Sequence, residues 1–205
     1  MKKNLCLFLL LILNYEVVLS QDNKENPIIY LDVLLGGGGN QEVSGINFGT
    51  SINYQSNTNL FTYRMQYVSE KKEDPNFLEA ILVIPYFLGG DSLNEYALLY
   101  GKRFIFNGHA LSVSAGLSTN LIKYSKTDND DIVLKRDNYL AIPFEINFHF
   151  FKTIKRRYRM FYRLISIGKS TGFGRSIGVK LYGSFGKFNY VGLGLNFGLG
   201  WHKVY

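Results

Sequence analysis

The sequence predicts an all-β chain, an antiparallel up-and-down transmembrane β-barrel of about eight strands. Three observations predict it. Aromatics make up 16% of the 205 residues, with 16 Phe and 15 Tyr, and 21 glycines are scattered among them; the rings favour strands and the glycines disfavour long helices. Apolar residues recur with period two, which only an extended strand sorts onto one face. The alternating runs are also long, near the 9–11 or so residues that a tilted strand needs to cross a bilayer.

Eight segments carry the alternation, in chain order. Ile29, Leu31, Val33 and Leu35 oppose Tyr30, Asp32 and Gly36. From Gly45 to Tyr54, Ile46, Phe48, Ile52 and Tyr54 oppose Asn47, Gly49, Ser51 and Asn53. From Leu60 to Ser69, Phe61, Tyr63, Met65 and Tyr67 oppose Thr62, Arg64 and Gln66. Tyr96, Leu98 and Tyr100 oppose Glu95, Ala97 and Gly101, and Val113, Ala115 and Leu117 oppose Ser112, Ser114, Gly116 and Ser118. Leu140, Ile142, Phe144, Ile146, Phe148 and Phe150 oppose Ala141, Glu145, Asn147 and His149. Ile177, Val179 and Leu181 oppose Gly178, Lys180, Tyr182 and Ser184. The last run is the cleanest: Val191, Leu193, Leu195, Phe197, Leu199 and Trp201 against Gly192, Gly194, Asn196, Gly198 and Gly200.

Connections at Gln55–Asn59 and Phe106–His109 are short, whereas Lys71–Ser92 and Ile122–Asp137 read as long polar loops. Short turns at one end and long loops at the other are expected of a membrane barrel. Two connections break that rule: a long one after Phe150 on the short-turn side, and a short hairpin at Gly186–Asn189 on the long-loop side. Ile81–Phe87 is apolar enough for a ninth strand or a packed lid.

Alternation does not say which face is buried. The polar rows are dominated by Gly, Ser, Asn and Ala rather than the Lys and Glu of a solvated surface, which favours a narrow lumen filled by small residues. Arg64, Glu95, Arg103, Glu145, His149 and Lys180 share the polar rows. Buried charges must be paired or hydrogen-bonded, so a lumen network of two or three pairs is expected, with an ion path as the alternative.

At the N-terminus, Lys2 and Lys3 precede an apolar run from Leu5 to Leu13 and the small-residue end Val18-Leu19-Ser20. This reads as a secretory signal over residues 1–20, cleaved after Ser20, ahead of a barrel domain over 21–205. Cys6 falls inside that run and is the single cysteine, so the expected mature chain has no disulfide and no thiolate metal site.

The formal net charge is +7. Lys152 to Arg175 holds eight basic residues and no acid, which accounts for the surplus. Within it Arg156, Arg157, Tyr158, Arg159, Phe161, Tyr162 and Arg163 interleave cations with rings. That mixture suits a membrane interface; a solvated turn and a partner-binding segment are the alternatives, and nucleic acid is not expected.

Catalytic and cofactor motifs fail on inspection. Gly168-Lys169-Ser170 resembles the end of a phosphate loop, but Arg163 stands where its first glycine belongs. A calcium loop starting at Asp128 would need an acid where Tyr139 stands. His109, His149 and His202 lack metal-ligand spacing; His109 and His202 read as turn or interface residues. His149 with Glu145 and Ser184 is the one conceivable hydrolytic set, for a lipid-modifying enzyme. No cofactor and no metal are expected.

With the signal at Met1–Ser20, the eight alternating segments and the aromatic C-terminus in view, the chain resembles the OmpA-like and OmpX-like eight-stranded outer-membrane barrels. The stretch Glu95-Tyr96-Ala97-Leu98-Leu99-Tyr100-Gly101 is similar to strands of uncharacterised members. The resemblance implies an outer-membrane location, contact with outer-membrane lipid, and a last strand whose Leu199, Trp201 and Tyr205 are read by the barrel-assembly machinery; Lys203 interrupts that row. It implies no activity. The expected role is structural or one of surface interaction through Lys71–Ser92 and Ile122–Asp137, with unknown loop ligand, in a monomer. A soluble lipocalin-like barrel holding an apolar ligand is the alternative.

Overall fold

A computed structural model of the chain describes residues 26–70, 91–128, 131–160 and 165–205. Its strands are β1 (Ile28–Gly39), β2 (Ser44–Ser56), β3 (Asn59–Glu70), β4 (Ser92–Phe106), β5 (His109–Asp128), β6 (Asp131–Phe151), β7 (Arg156–Met160), β8 (Ile165–Thr171), β9 (Phe173–Gly186) and β10 (Tyr190–Trp201). Eight of them close into an antiparallel barrel in the order β1-β10-β9-β6-β5-β4-β3-β2, and β7 pairs only with β8. Closure removes every exposed sheet edge from the wall. The last strand returns to the first, Ile29 opposite Trp201 and Gly39 opposite Val191.

Asn26 and Tyr205, the first and last described residues, the turns at Asn57–Thr58 and Asn107–Gly108, and the β7–β8 pair lie at one end of the barrel, here the terminal end. The C-terminal ends of β1, β3, β5 and β9 lie at the other, the loop end. Gly108 turns the chain with φ 103°, a backbone conformation that glycine adopts without the penalty of a Cβ.

Alternation places the apolar rows outward. Leu98, Leu117 and Leu140 are 68%, 73% and 81% exposed, while Arg64 and Glu95 on the opposite rows are 1% and 0%. The interior is built of more than small polar residues, however. Leu34, Val68, Leu93 and Ile122 lie on the inward rows and cluster with Tyr124, Tyr139, Tyr182 and Tyr190. A narrow bore must be filled at every level, and at the loop end it is filled by apolar side chains.

Two connections differ from expectation. The stretch Ile122–Asp137 is not a loop: β5 and β6 continue through it in register, from Ile122 opposite Asp137 to Asp128 opposite Asp131. β4 stops pairing at Lys123 and β9 at Ala141, so the hairpin rises above the rim. Its base is stapled by Asp91, whose carboxylate accepts from the Ser125 backbone N–H at 2.9 Å and from its hydroxyl at 2.9 Å. The long connection after β6 contains the β7–β8 pair, which adds a second sheet without disturbing the count of eight in the wall. Lys71–Gly90, with Ile81–Phe87 inside it, and residues 1–20, where a signal is expected, lie outside the described residues.

Candidate functional site

The chemistry-bearing side chains converge inside the barrel in three levels. In the middle, β3 supplies Arg64, β4 Glu95, β6 Glu145 and β9 Lys180. Arg64 donates to Glu95 Oε1 from Nη2 at 2.6 Å and from Nε at 3.1 Å, and to Glu145 Oε2 from Nη1 at 3.2 Å. Lys180 Nζ lies 3.5 Å from Glu145 Oε2 and 3.5 Å from Ser51 Oγ on β2. Two cations and two carboxylates are thus interleaved, and the chain of contacts crosses the bore from β2 and β3 to β6 and β9. In so dry a setting each charge is tolerable only because its neighbours compensate it.

Toward the terminal end, His149 Nε2 lies 3.4 Å from Asp32 Oδ1 and 2.7 Å from the Asn196 amide nitrogen. Asn53 donates to Asp32 Oδ2 at 2.9 Å and accepts from Thr62 at 2.8 Å. Glycine at 198 makes room for this group, since a Cβ there would overlap the Ser176 hydroxyl and Asp32 Oδ1.

At the terminal end itself, Arg103 is apart from the carboxylates. Its Nη1 donates to Gln55 Oε1 at 2.6 Å and to the His202 carbonyl at 2.9 Å. Its guanidinium lies 4.9 Å from the Tyr30 ring centre and 5.6 Å from that of Phe151. Neutral acceptors and ring faces compensate this cation. His202 is not a surface turn residue. It is buried, tilted against Tyr30 at 5.0 Å and stacked on Phe151 at 5.5 Å. Burial, reinforced by His149 and Arg103, pushes its imidazole down to about 4. His109 lies on the outer face, stacked against Phe148 at 6.2 Å.

Of the six lumen residues singled out in the sequence, the structure therefore brings Arg64, Glu95, Glu145 and Lys180 together, sets His149 in a separate group, and gives Arg103 neutral partners. Sequence reasoning missed Asp32, Gln55 and His202. Asp32 sits on the polar row of β1 and could have been found from that position. Nothing in the chain order signals the approach of His202 to Arg103.

The hydrolytic set does not assemble. Opposite His149 on β9 is Gly178, whereas Ser184 lies opposite Pro143, six positions along the ladder. At about 3.3 Å per residue the hydroxyl is roughly 20 Å from the imidazole along the wall. Among the described residues, no group of three or more His, Cys, Asp and Glu could hold a metal.

The C-terminal row also differs. β10 ends at Trp201, whose ring meets Phe173 edge-on at 5.1 Å. Leu199 faces outward, but Tyr205 is beyond the strand; its hydroxyl donates to the Lys152 carbonyl at 2.9 Å, and its backbone N–H to Asn26 at 3.1 Å. In the basic–aromatic segment, Arg156, Arg157, Tyr158 and Arg159 fall on β7, with Tyr158 opposite Ile167, and Arg157 is exposed. Phe161, Tyr162 and Arg163 lie outside the described residues.

No protein-family model matches the sequence, and no curated protein matches it significantly. Solved structures do. Neisserial surface protein A (NspA) aligns over 87% of this chain and 99% of its own, with a TM-score of 0.51 at 8% identity. The fold is that of the small eight-stranded outer-membrane barrels. The N-terminal β-barrel domain of Pseudomonas aeruginosa OprF aligns over 84% of this chain and 99% of its own, with a TM-score of 0.46 at 14% identity. Ail, the attachment invasion locus protein of Yersinia pestis, aligns over 86% and 97%, with a TM-score of 0.48 at 11% identity.

Proposed function

We propose that the chain is an outer-membrane barrel with a structural or surface-interaction role and no catalytic activity. The observation that carries this reading is the inversion of its faces: a closed wall with charge inside and apolar rows outside. In water such a surface would be one large exposed apolar patch, far beyond the few hundred Å2 typical of soluble monomers. In a bilayer it meets hydrocarbon, and the closed ring of antiparallel ladders pairs the backbone from strand to strand.

A lipocalin-like carrier would need the reverse arrangement, an apolar cavity inside a wetted wall. Here ion pairs and an apolar plug occupy the bore. An enzyme acting through His149 would need Ser184 within hydrogen-bond reach, and the register keeps them apart. An interaction role falls to the loop end, where the β5–β6 hairpin stands clear of the rim. Outer-membrane lipid is the surrounding partner, and the assembly machinery would read the end of β10 at Leu199 and Trp201.

Fractionation of Gram-negative cells expressing the full chain tests the reading. Retention in the outer-membrane pellet after a carbonate or urea wash is expected, together with heat-modifiable migration on a gel. Release into the soluble periplasmic fraction would overturn it.

A further inference from the structure

The two rims of the barrel differ in charge. At the terminal end, Lys102 on β4, Lys152 and Lys155 in the β6–β7 connection and Arg157 on β7 are exposed, and Lys203 after β10 is half-exposed. They reach one rim from separate stretches of the chain. Among the described residues of that end, no Asp or Glu side chain is exposed; the nearest, Asp32, is 2% exposed inside the wall. Two of these cations have neutral partners: Lys102 donates to Asn59 Oδ1 at 2.5 Å, and Lys203 lies 4.9 Å from the Tyr205 ring centre. The loop end instead mixes Glu42 and Asp137 with Lys123, Arg136 and Lys187, and Lys187 pairs with Asp137 at 2.9 Å.

Just inside the basic rim runs a band of outward rings, Tyr54, Phe61, Tyr100, Phe104, Phe106 and Phe150, each between 44% and 54% exposed. Tyr54 meets Phe61 at 6.4 Å and Phe61 meets Tyr100 at 5.3 Å, so the band is continuous across three strands. Ile154, 64% exposed, projects among the cations. Rings settle at headgroup depth, and Lys and Arg stems lie along apolar surface while their charges reach outward. A band of rings followed by cations, with no exposed Asp or Glu side chain beside them among the described residues, matches a layer of lipid phosphates.

We propose that the terminal rim is a binding surface for anionic phospholipid headgroups, selecting them over zwitterionic ones by charge. This rests on the reading that the barrel spans a membrane. The cations are the β6–β7 connection, the start of β7 and the ends of β4 and of the chain; the ligand class is a phospholipid with net negative charge, such as phosphatidylglycerol.

The test uses the full chain purified folded in a zwitterionic detergent, titrated with phosphatidylglycerol or phosphatidylcholine, with bound lipid counted by native mass spectrometry. A preference for phosphatidylglycerol on the order of tenfold is expected, since each basic group near an anionic surface contributes several-fold. It should shrink when salt is raised from about 0.1 M to about 1 M, as the screening length falls from about 10 Å to about 3 Å. Lys152→Gln/Lys155→Gln/Arg157→Gln should lose most of it, and Lys123→Gln/Arg136→Gln/Lys187→Gln at the loop end should keep it. Equal retention of the two lipids by the folded chain would overturn the proposal while leaving the barrel reading intact. A preference lost only in the loop-end variant would also overturn it. If the terminal-rim variant does not fold, the salt series on the unaltered chain decides, and a preference that survives high salt counts against the proposal. Failure of the unaltered chain to show heat-modifiable migration would strike the barrel reading instead.

Discussion

Arg64, Glu95, Glu145 and Lys180 close the middle of the bore with charge, whereas Leu34, Val68, Leu93 and Ile122 close its loop end with apolar area. Both solutions fill the same narrow cylinder, and they respond differently to damage. The charged level is a set of mutual dependences. Its net contribution relative to an apolar filling is small, but removal of one member strands the others. The apolar level is close to a sum of independent burials, each lost in proportion to the atoms removed. Tyr190 joins the two levels, since its hydroxyl donates to Gln66 Oε1 at 2.8 Å while its ring packs in the apolar cluster.

Breaking the charged level should give the largest effect. Arg64→Leu leaves Glu95 with no cation and Glu145 with Lys180 alone, and should cost about 3–5 kcal/mol, read as a shift in the urea midpoint of the lipid-refolded barrel. Arg64→Leu combined with Glu95→Leu should recover most of that loss. A double variant as unstable as the single one would mean that the level acts by packing, and the contrast between the two levels would disappear.

Leu93→Ala in the apolar level should cost less, near the lower end of about 2–5 kcal/mol. With Arg64→Leu its loss should add within about 0.5 kcal/mol, although Tyr190 touches both levels. Strong non-additivity in the same urea titration would show one cooperative plug rather than two.

The smallest effect belongs to the rim. Lys187 and Asp137 pair at 2.9 Å but are 56% and 33% exposed, so Lys187→Ala should cost under about 1 kcal/mol. A larger loss would place this pair with the interior network, through the adjoining Phe188 that lies between Tyr124 and Tyr139.

Strands were readable because each residue's face is a local property. Period two alone placed Ile29, Phe61, Leu98 and Val191 on one surface and Arg64, Glu95, Glu145 and Lys180 on the other. The cross-bore partners were not readable in the same way. Arg64 is 31 residues from Glu95 and 81 from Glu145, and only the closing of β1 on β10 and the stagger of the ladders set which levels face each other. The apolar plug was missed for a related reason. Val68 and Leu93 sit near strand ends and Leu34 and Ile122 within β1 and β5, and one inward apolar residue in a polar row looks like noise. Four such residues from different strands become a layer only when the wall curves them together. The β5–β6 extension was missed because Lys123, Lys126, Lys135 and Arg136 read as a polar loop, although a two-stranded hairpin above the rim has no face that must be apolar.

The sequence by itself determined which residues of each wall strand share a face and the positive surplus between Lys152 and Arg175, since alternation and composition are carried by neighbouring residues. Only the tertiary structure decided which charges meet, that Arg103 ends among Gln55, His202 and two rings, and that Ser184 never reaches His149. Those outcomes depend on register and closure, and register is a property of pairs of strands rather than of any one of them.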